Sequence, residues 1–156
     1  MKKTHPMFEK INGSKLKIAI VVARWNEEVT TGLLVGALQA LTESQVSEKN
    51  IAVTTVAGAY EIPFAAKSLI QSKKKFDAII TLGCLIKGET MHFEYIAASV
   101  AQGLMDLNVH ENIPVVFGVL TCLNEKQALT RSRGKNNHGY GWGYTAVEMA
   151  LLKKSM

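Results

Sequence analysis

From end to end the chain alternates short, β-branched apolar runs with longer stretches of helical periodicity. Residues 17–23 (KIAIVVA), 51–57 (IAVTTVA), 76–82 (FDAIITL) and 113–121 (IPVVFGVLT) have the length and continuity of buried strands. Between them, 27–45, 62–74 and 91–108 carry apolar residues in helical phase. Val29, Leu33, Ala37, Ala40 and Leu41 share one face of the first, and Phe93, Ile96, Ala97, Val100 and Leu104 one face of the third. Pro63 suits the first turn of the second, where no N–H donor is needed. Two further helical stretches, 125–131 and 144–153, flank a polar, glycine-rich run at 134–143 that reads as a flexible loop. Strands this apolar, alternating with helices, predict an α/β fold with a parallel sheet covered on both faces.

At 156 residues the chain is read as a single domain, 1–156, with a polar, basic and flexible extension over 1–14. A hydrophobic content of 47% excludes disorder. No apolar run is long enough for a membrane span, and the N-terminus lacks the apolar stretch of a signal peptide. The only cysteines, Cys84 and Cys122, lie far apart and suggest a reducing, cytoplasmic setting. The net charge of +5 fits anionic partners without choosing among them. The run Lys73-Lys74-Lys75 falls at a predicted helix C-terminus, where cations complement the dipole, and no nucleic-acid-binding motif accompanies it. Dinucleotide and P-loop glycine patterns are absent, and the four histidines show no metal-ligand spacing.

Right-handed crossovers bring the C-terminal ends of parallel strands to one edge, where ligands bind. The segments expected there carry Trp25, Tyr60, Glu61, Glu89 and His92. Each has a functional and an ordinary reading. His92, at a predicted helix start, is either a proton-transfer imidazole or a surface or capping histidine. Gly88-Glu89-Thr90 is either an anion cradle or a helix cap, and Glu89 argues against a phosphate there. Trp25 either stacks on a flat heterocycle or fills the core, and its neighbours Arg24 and Asn26 favour the rim. Glu61 either accepts hydrogen bonds from a polyol or caps the following helix. Arg131, Arg133, Lys135 and His138 either close over a phosphate or form a solvated loop.

Taken together, these segments resemble the lumazine synthases of riboflavin biosynthesis, over about residues 17–152. The resemblance is strongest in Gly83-Cys84-Leu85-Ile86-Lys87-Gly88-Glu89-Thr90-Met91-His92-Phe93-Glu94-Tyr95. It is supported by Ala23-Arg24-Trp25-Asn26, Gly58-Ala59-Tyr60-Glu61-Ile62-Pro63, Phe117-Gly118-Val119-Leu120-Thr121 and the tail around Gly141-Trp142-Gly143. Asn137-His138-Gly139 is most similar to fungal members. The resemblance implies a flavodoxin-like three-layer sandwich with a four-stranded parallel sheet. It implies condensation of 5-amino-6-ribitylaminouracil with 3,4-dihydroxy-2-butanone 4-phosphate to the lumazine, phosphate and water, without cofactor or metal. It further implies homopentamers, in some members assembled into shells, with sites shared between subunits.

By the same resemblance His92 is the proton-transfer residue, and Trp25 takes the place of an aromatic that stacks on the pyrimidine. Ala59, Tyr60 and Glu61 line the ribityl side; Cys84, Leu85 and Ile86 present backbone groups to the pyrimidine edge. Glu89 and Thr90 fall near the phosphate. Phe117 comes from the adjacent subunit, Arg131 clamps the phosphate, and His138 fills a position often held by Lys. Two departures stand out. Glu89 replaces a small residue, which leaves its backbone as the contact, and a shortened 131–142 stretch leaves Arg131 and Arg133 as alternatives. Phe117 falls within a strand read as central, out of reach of its own chain's site. Riboflavin, with the same pyrimidinedione and ribityl chain, is a further expected ligand. A flavin-binding electron-transfer module and a purely structural shell protein are the competing readings. The first expects a hydroxyl-rich phosphate loop where this chain has Arg24-Trp25-Asn26-Glu27-Glu28.

Overall fold

A computed structural model describes residues 8–156. Four strands, β1 (Ile18–Ala23), β2 (Ile51–Val56), β3 (Ala78–Ile86) and β4 (Val115–Cys122), form one parallel sheet in the order β2-β1-β3-β4. The helices are α1 (Glu27–Glu43), α2 (Ile62–Gln71), α3 (His92–His110), α4 (Glu125–Arg131) and α5 (His138–Ser155). The chain steps from β1 outward to β2, then back across the sheet to β3 and β4. Keeping one crossover hand while reversing direction sends α1 to one face and α2 and α3 to the other.

Side-chain alternation along β1 feeds both faces. Ile18, Ile20 and Val22 pack with Leu33 and Leu41 of α1, Ala128 of α4 and Val147 of α5. Ala19, Val21 and Ala23 pack with Ile62 and Ala66 of α2 and with Val100 and Leu104 of α3. The result is the expected flavodoxin-like three-layer sandwich.

Several boundaries move for identifiable reasons. The first helix stops at Glu43 because Gln45 adopts a left-handed conformation (φ 66°). The second stops at Gln71: Ser72 is extended, and its hydroxyl donates to the carbonyls of Leu69 and Lys74. The third strand runs four residues past the predicted end at Leu82, because β4 pairs with it as far as Ile86–Cys122.

Two expectations need correction. β4 is an edge strand, not a central one, and Phe117 on it is 42% exposed. The run 134–143 is not a flexible loop. After a single 3-10 turn at Gly134–Asn136, α5 begins at His138. Asn137 caps that helix, its Oδ1 accepting from the Gly139 N–H (2.8 Å), while its Nδ2 donates to the carbonyls of Gly32 (2.8 Å) and Ser132 (3.0 Å). The glycines serve close helix packing instead. A Cβ on Gly139 would lie 2.0 Å from the Leu33 carbonyl oxygen, and one on Gly143 2.6 Å from that of Ala37.

The first part of the expected N-terminal extension, 1–7, lies outside the described residues. The remainder runs along α5, where Phe8 packs against the rings of Tyr140 and Tyr144 and the Tyr144 hydroxyl donates to the Glu9 carbonyl (2.7 Å).

Candidate active site

The reversal of direction between β1 and β3 opens a crevice at their C-terminal ends, the usual ligand position in such sheets. β1 pairs with β3 only as far as Val22–Leu82, whereas β3 continues along β4 to Ile86. The last residues of β3 therefore have no strand partner on the side that faces β1. Ile79 and Lys87 donate their N–H groups towards β4, to Pro114 and Cys122, so the backbone of the even-numbered residues points the other way. The Cys84 carbonyl accepts from Asn26 Nδ2 at 2.9 Å. The N–H and C=O of Ile86 come next along the same open edge.

This edge forms one wall of a cleft of about 720 Å³. Trp25 and Asn26, following β1, line it opposite the β3 edge, and Gly58, Ala59, Tyr60 and Glu61 enter from the turn after β2. The Trp25 N–H donates to the Ala57 carbonyl (3.0 Å), which fixes its backbone, and the side chain is 73% exposed. Trp25 thus does not fill the core. Tyr60 is exposed, and Ala59 is buried beneath it. Glu61 does brace its own turn, with Oε2 accepting from the Gly58 N–H (2.9 Å).

The far wall comes from the start of α3 and the turn before it. His92 is the first residue of α3 and lines the cleft with Gly88 and Thr90. Its N–H approaches Thr90 Oγ1 at 3.4 Å, a long contact, so Thr90 acts as a loose local brace. Glu89 is exposed and lines neither cleft. Lys87 pairs with Glu94, tying the turn to the helix and holding the Glu94 carboxyl below its ordinary range.

A second cleft, of about 270 Å³, lies beside β4, α4 and the start of α5. Phe117, Arg131, His138 and Trp142 line it, and it shares no lining residue with the first. Arg131 is braced by donating from Nη1 to the Gln127 carbonyl (2.9 Å), and His138 meets Trp142 edge-on at 5.7 Å. Arg133 points elsewhere and pairs with Glu28. The structure thus gathers Trp25, Ala59, Tyr60, Glu61, Cys84, Leu85, Ile86, Thr90 and His92 in one cleft, and Phe117, Arg131 and His138 in another.

Neither cysteine is activated as a thiolate by its surroundings. Burial pushes the Cys84 thiol up to about 12, with Cys122 adding to the shift. Burial also raises the Cys122 thiol, opposed in part by Arg131. Both remain protonated near neutrality. Among the described residues no three His, Cys, Asp or Glu side chains come together as a metal site would require. No described helix is long and apolar enough to cross a membrane.

Sequence reading missed several lining residues. Tyr95, Ile96 and Ser99 follow His92 at helical spacing and share its face, a signal available in the periodicity. Gln127 and Trp142 carry no such signal, and Trp142 lies in the glycine-rich run whose composition reads as a loop.

A cleft at the sheet's switch point, floored by an exposed indole and walled by free backbone donors and acceptors, suits a flat polar heterocycle. A model of the family described as 6,7-dimethyl-8-ribityllumazine synthase matches residues 15–154, almost the whole chain. The chain therefore belongs to the 6,7-dimethyl-8-ribityllumazine synthase family.

Proposed function

We propose that the two clefts are complementary halves of one active site, completed where the first cleft of one copy meets the second cleft of the next. The enzyme is a transferase of riboflavin biosynthesis that condenses 5-amino-6-ribitylaminouracil with 3,4-dihydroxy-2-butanone 4-phosphate. What supports the composite reading is the separation itself: the aromatic and histidine set and the arginine set line different cavities of one chain. A cyclic arrangement such as a pentamer brings unlike surfaces together at every interface. The chain exposes large apolar side chains suited to such contacts, among them Phe64 at 79% and Tyr95 at 70%. The cytoplasm, a reducing compartment, suits the two free cysteines, Cys84 and Cys122.

In this reading the pyrimidine stacks on Trp25 and its polar edge pairs with backbone groups of the Cys84–Ile86 segment that Asn26 leaves open, Leu85 included as the link between them. The ribityl chain lies along Ala59, Tyr60 and Glu61, where the second carboxylate oxygen of Glu61 accepts from hydroxyls. Riboflavin, with the same ring edge and chain, occupies the same cleft. Arg131 holds the phosphate with a charge-assisted contact, and His138 adds a ring N–H. The Glu89 and Thr90 turn faces the phosphate from the other copy, Glu89 through its backbone. Phe117 closes the pyrimidine from the neighbouring side.

The chemistry is proton management around two reactants held together. The primary amine attacks the ketone carbonyl and water leaves, giving an imine. Loss of a proton from carbon then expels inorganic phosphate. The resulting enol becomes a ketone, the ribityl-bearing nitrogen attacks it, and a second water leaves as the ring closes. His92 takes and returns the protons within the first cleft. Holding the reactants in register supplies several kcal/mol of the barrier reduction.

Arg131→Ala is expected to raise KM for the butanone phosphate by some ten- to hundredfold, the loss of a charged hydrogen bond of roughly 1.5–3 kcal/mol. The KM for the pyrimidine should stay within a few fold. Trp25→Gly should do the opposite. Steady-state assays with each substrate varied in turn read both. An Arg133→Ala enzyme that reproduces the Arg131 phenotype, with Arg131→Ala unaffected, overturns the assignment of the phosphate contact.

A further inference from the structure

Asn26 is in an unusual state for a residue that precedes a helix. Asparagine at this position ordinarily turns its side chain back to cap the helix. Here the backbone is left-handed (φ 60°, ψ 49°), and the side chain makes no capping bond to α1. Its Nδ2 instead crosses the crevice and donates to the Cys84 carbonyl at 2.9 Å. That carbonyl is the first on the open edge of β3 beyond the last pair with β1, Val22–Leu82. The amide of Asn26 therefore occupies the place where the next residue of β1 would have bonded. Had β1 continued, its backbone would have covered the edge. Had the chain turned away without Asn26, the Cys84 carbonyl would have joined the groups open to the cleft.

We propose that Asn26 is a positioning and specificity-determining residue: it closes the Cys84 carbonyl and leaves the Ile86 N–H and C=O as the exposed rung that reads the pyrimidine edge. A ring with alternating donors and acceptors can slide along a strand edge that offers equivalent rungs. With Cys84 O engaged, sliding by one rung costs the ring an acceptor. The same bond fixes the spacing between the indole floor and the β3 wall, because Trp25 is adjacent to Asn26 in the chain and lines the cleft with it. The left-handed backbone is part of the device. It directs Trp25 and Asn26 to the same cleft, and asparagine is among the few residues other than glycine that adopt this conformation readily.

The inference rests on the placement of the pyrimidine in the first cleft, and the test separates the two. Asn26→Gly keeps the left-handed backbone accessible and removes only the amide, so folding is preserved. Asn26→Asp keeps the size and backbone preference but sets a carboxylate against the Cys84 carbonyl in place of a donor. Both variants, with wild type and Trp25→Gly, are assayed with each substrate varied, alongside thermal unfolding. The expected result is a rise of about tenfold in KM for the pyrimidine in both Asn26 variants, because the ring loses its register and with it about one hydrogen bond's worth of binding to the Ile86 rung. The KM for the butanone phosphate should be unchanged, and the melting temperature of Asn26→Gly should stay near wild type. Product-induced quenching of Trp25 fluorescence should require correspondingly higher product. If Trp25→Gly raises the pyrimidine KM and the Asn26 variants do not, the positioning role is wrong and the placement stands. Rescue by Asn26→Asp would reduce Asn26 to a backbone turn and overturn the proposal. No effect of Trp25→Gly on the pyrimidine would remove the placement itself.

Discussion

His92→Ala is expected to lower kcat by about a hundredfold, the lower end of what positioned acid–base groups supply, while KM for the pyrimidine stays within a few fold. The imidazole is at the first residue of α3 and lines the first cleft, and in the proposed mechanism the amine attack, both losses of water and the expulsion of phosphate all move protons. Of the other groups lining that cleft, burial holds the Cys84 thiol up at about 12, and Glu61 Oε2 is engaged in accepting from the Gly58 N–H. An imidazole can both accept and donate a proton through its ring nitrogens, which suits a residue placed there. The variant should be crippled but not dead, because in the proposed composite site the two clefts still hold both substrates together, and such proximity supplies much of the rate. The discriminating measurement is kcat at saturating concentrations of both substrates. An unchanged kcat removes His92 from proton transfer and leaves it as a surface residue of the helix start.

The second large effect is on folding. Gly139→Ala should cost about 3 kcal/mol or more of stability, the upper range for inserting atoms into a packed core. The added Cβ would stand 2.0 Å from the carbonyl oxygen and 2.7 Å from the carbonyl carbon of Leu33. Both are backbone atoms in the middle of α1, so no side chain can swing aside to make room. Either α5 lifts from α1, opening the core around Val147 and Ala150, or the chain fails to fold. Urea unfolding midpoints of wild type, Gly139→Ala and Gly88→Ala make the comparison. At Gly88 a Cβ meets nothing within 4 Å, so its midpoint should hold. Equal midpoints for all three would mean that the two helices are not as tightly apposed as described.

That glycine also shows where sequence reading stops. Apolar period and β-branching are local signals, and they located all four strands and the course of α1, α2 and α3 to within a few residues. The α4 boundaries, Glu125–Arg131, were read as they stand. Gly139 and Gly143 are spaced by one helical turn, but glycine in isolation weakens a helix. Only the partner helix makes that spacing meaningful, and the partner is distant in sequence. The extension of β3 to Ile86 was hidden for a similar reason: Gly83 and Cys84 have little strand preference of their own, and β4 supplies the pairing.

The site divides along the same line. Trp25, Glu61 and His92 are legible because they lie in or directly after the segments that connect each strand's C-terminal end to the next helix, at the edge where such sheets bind ligands. Phe117 is assigned only through family resemblance, on a strand that reads as central, and Arg131 is one of several basic residues in a run with a phosphate-binding and a solvated-loop reading until the resemblance selects it. The place of Phe117 on an edge strand, in a separate cleft with Arg131, is a consequence of strand order, which no local pattern encodes. Asn26 was noticed only as a polar neighbour of Trp25. Its bond to Cys84 spans 58 residues and exists only in the folded sheet.

The central claim, that one site is built from two copies, is tested most directly by mixing subunits. His92→Ala damages only the first cleft and Arg131→Ala only the second. The two variants are denatured together in equal amounts, refolded, and assayed at a butanone phosphate concentration where each alone is nearly inactive. In a ring with unlike surfaces at each interface, random mixing leaves about one quarter of the interfaces with both halves intact. The account predicts recovery of about that fraction of wild-type activity. Activity no greater than the average of the two separately refolded variants would mean that each chain carries its own complete site.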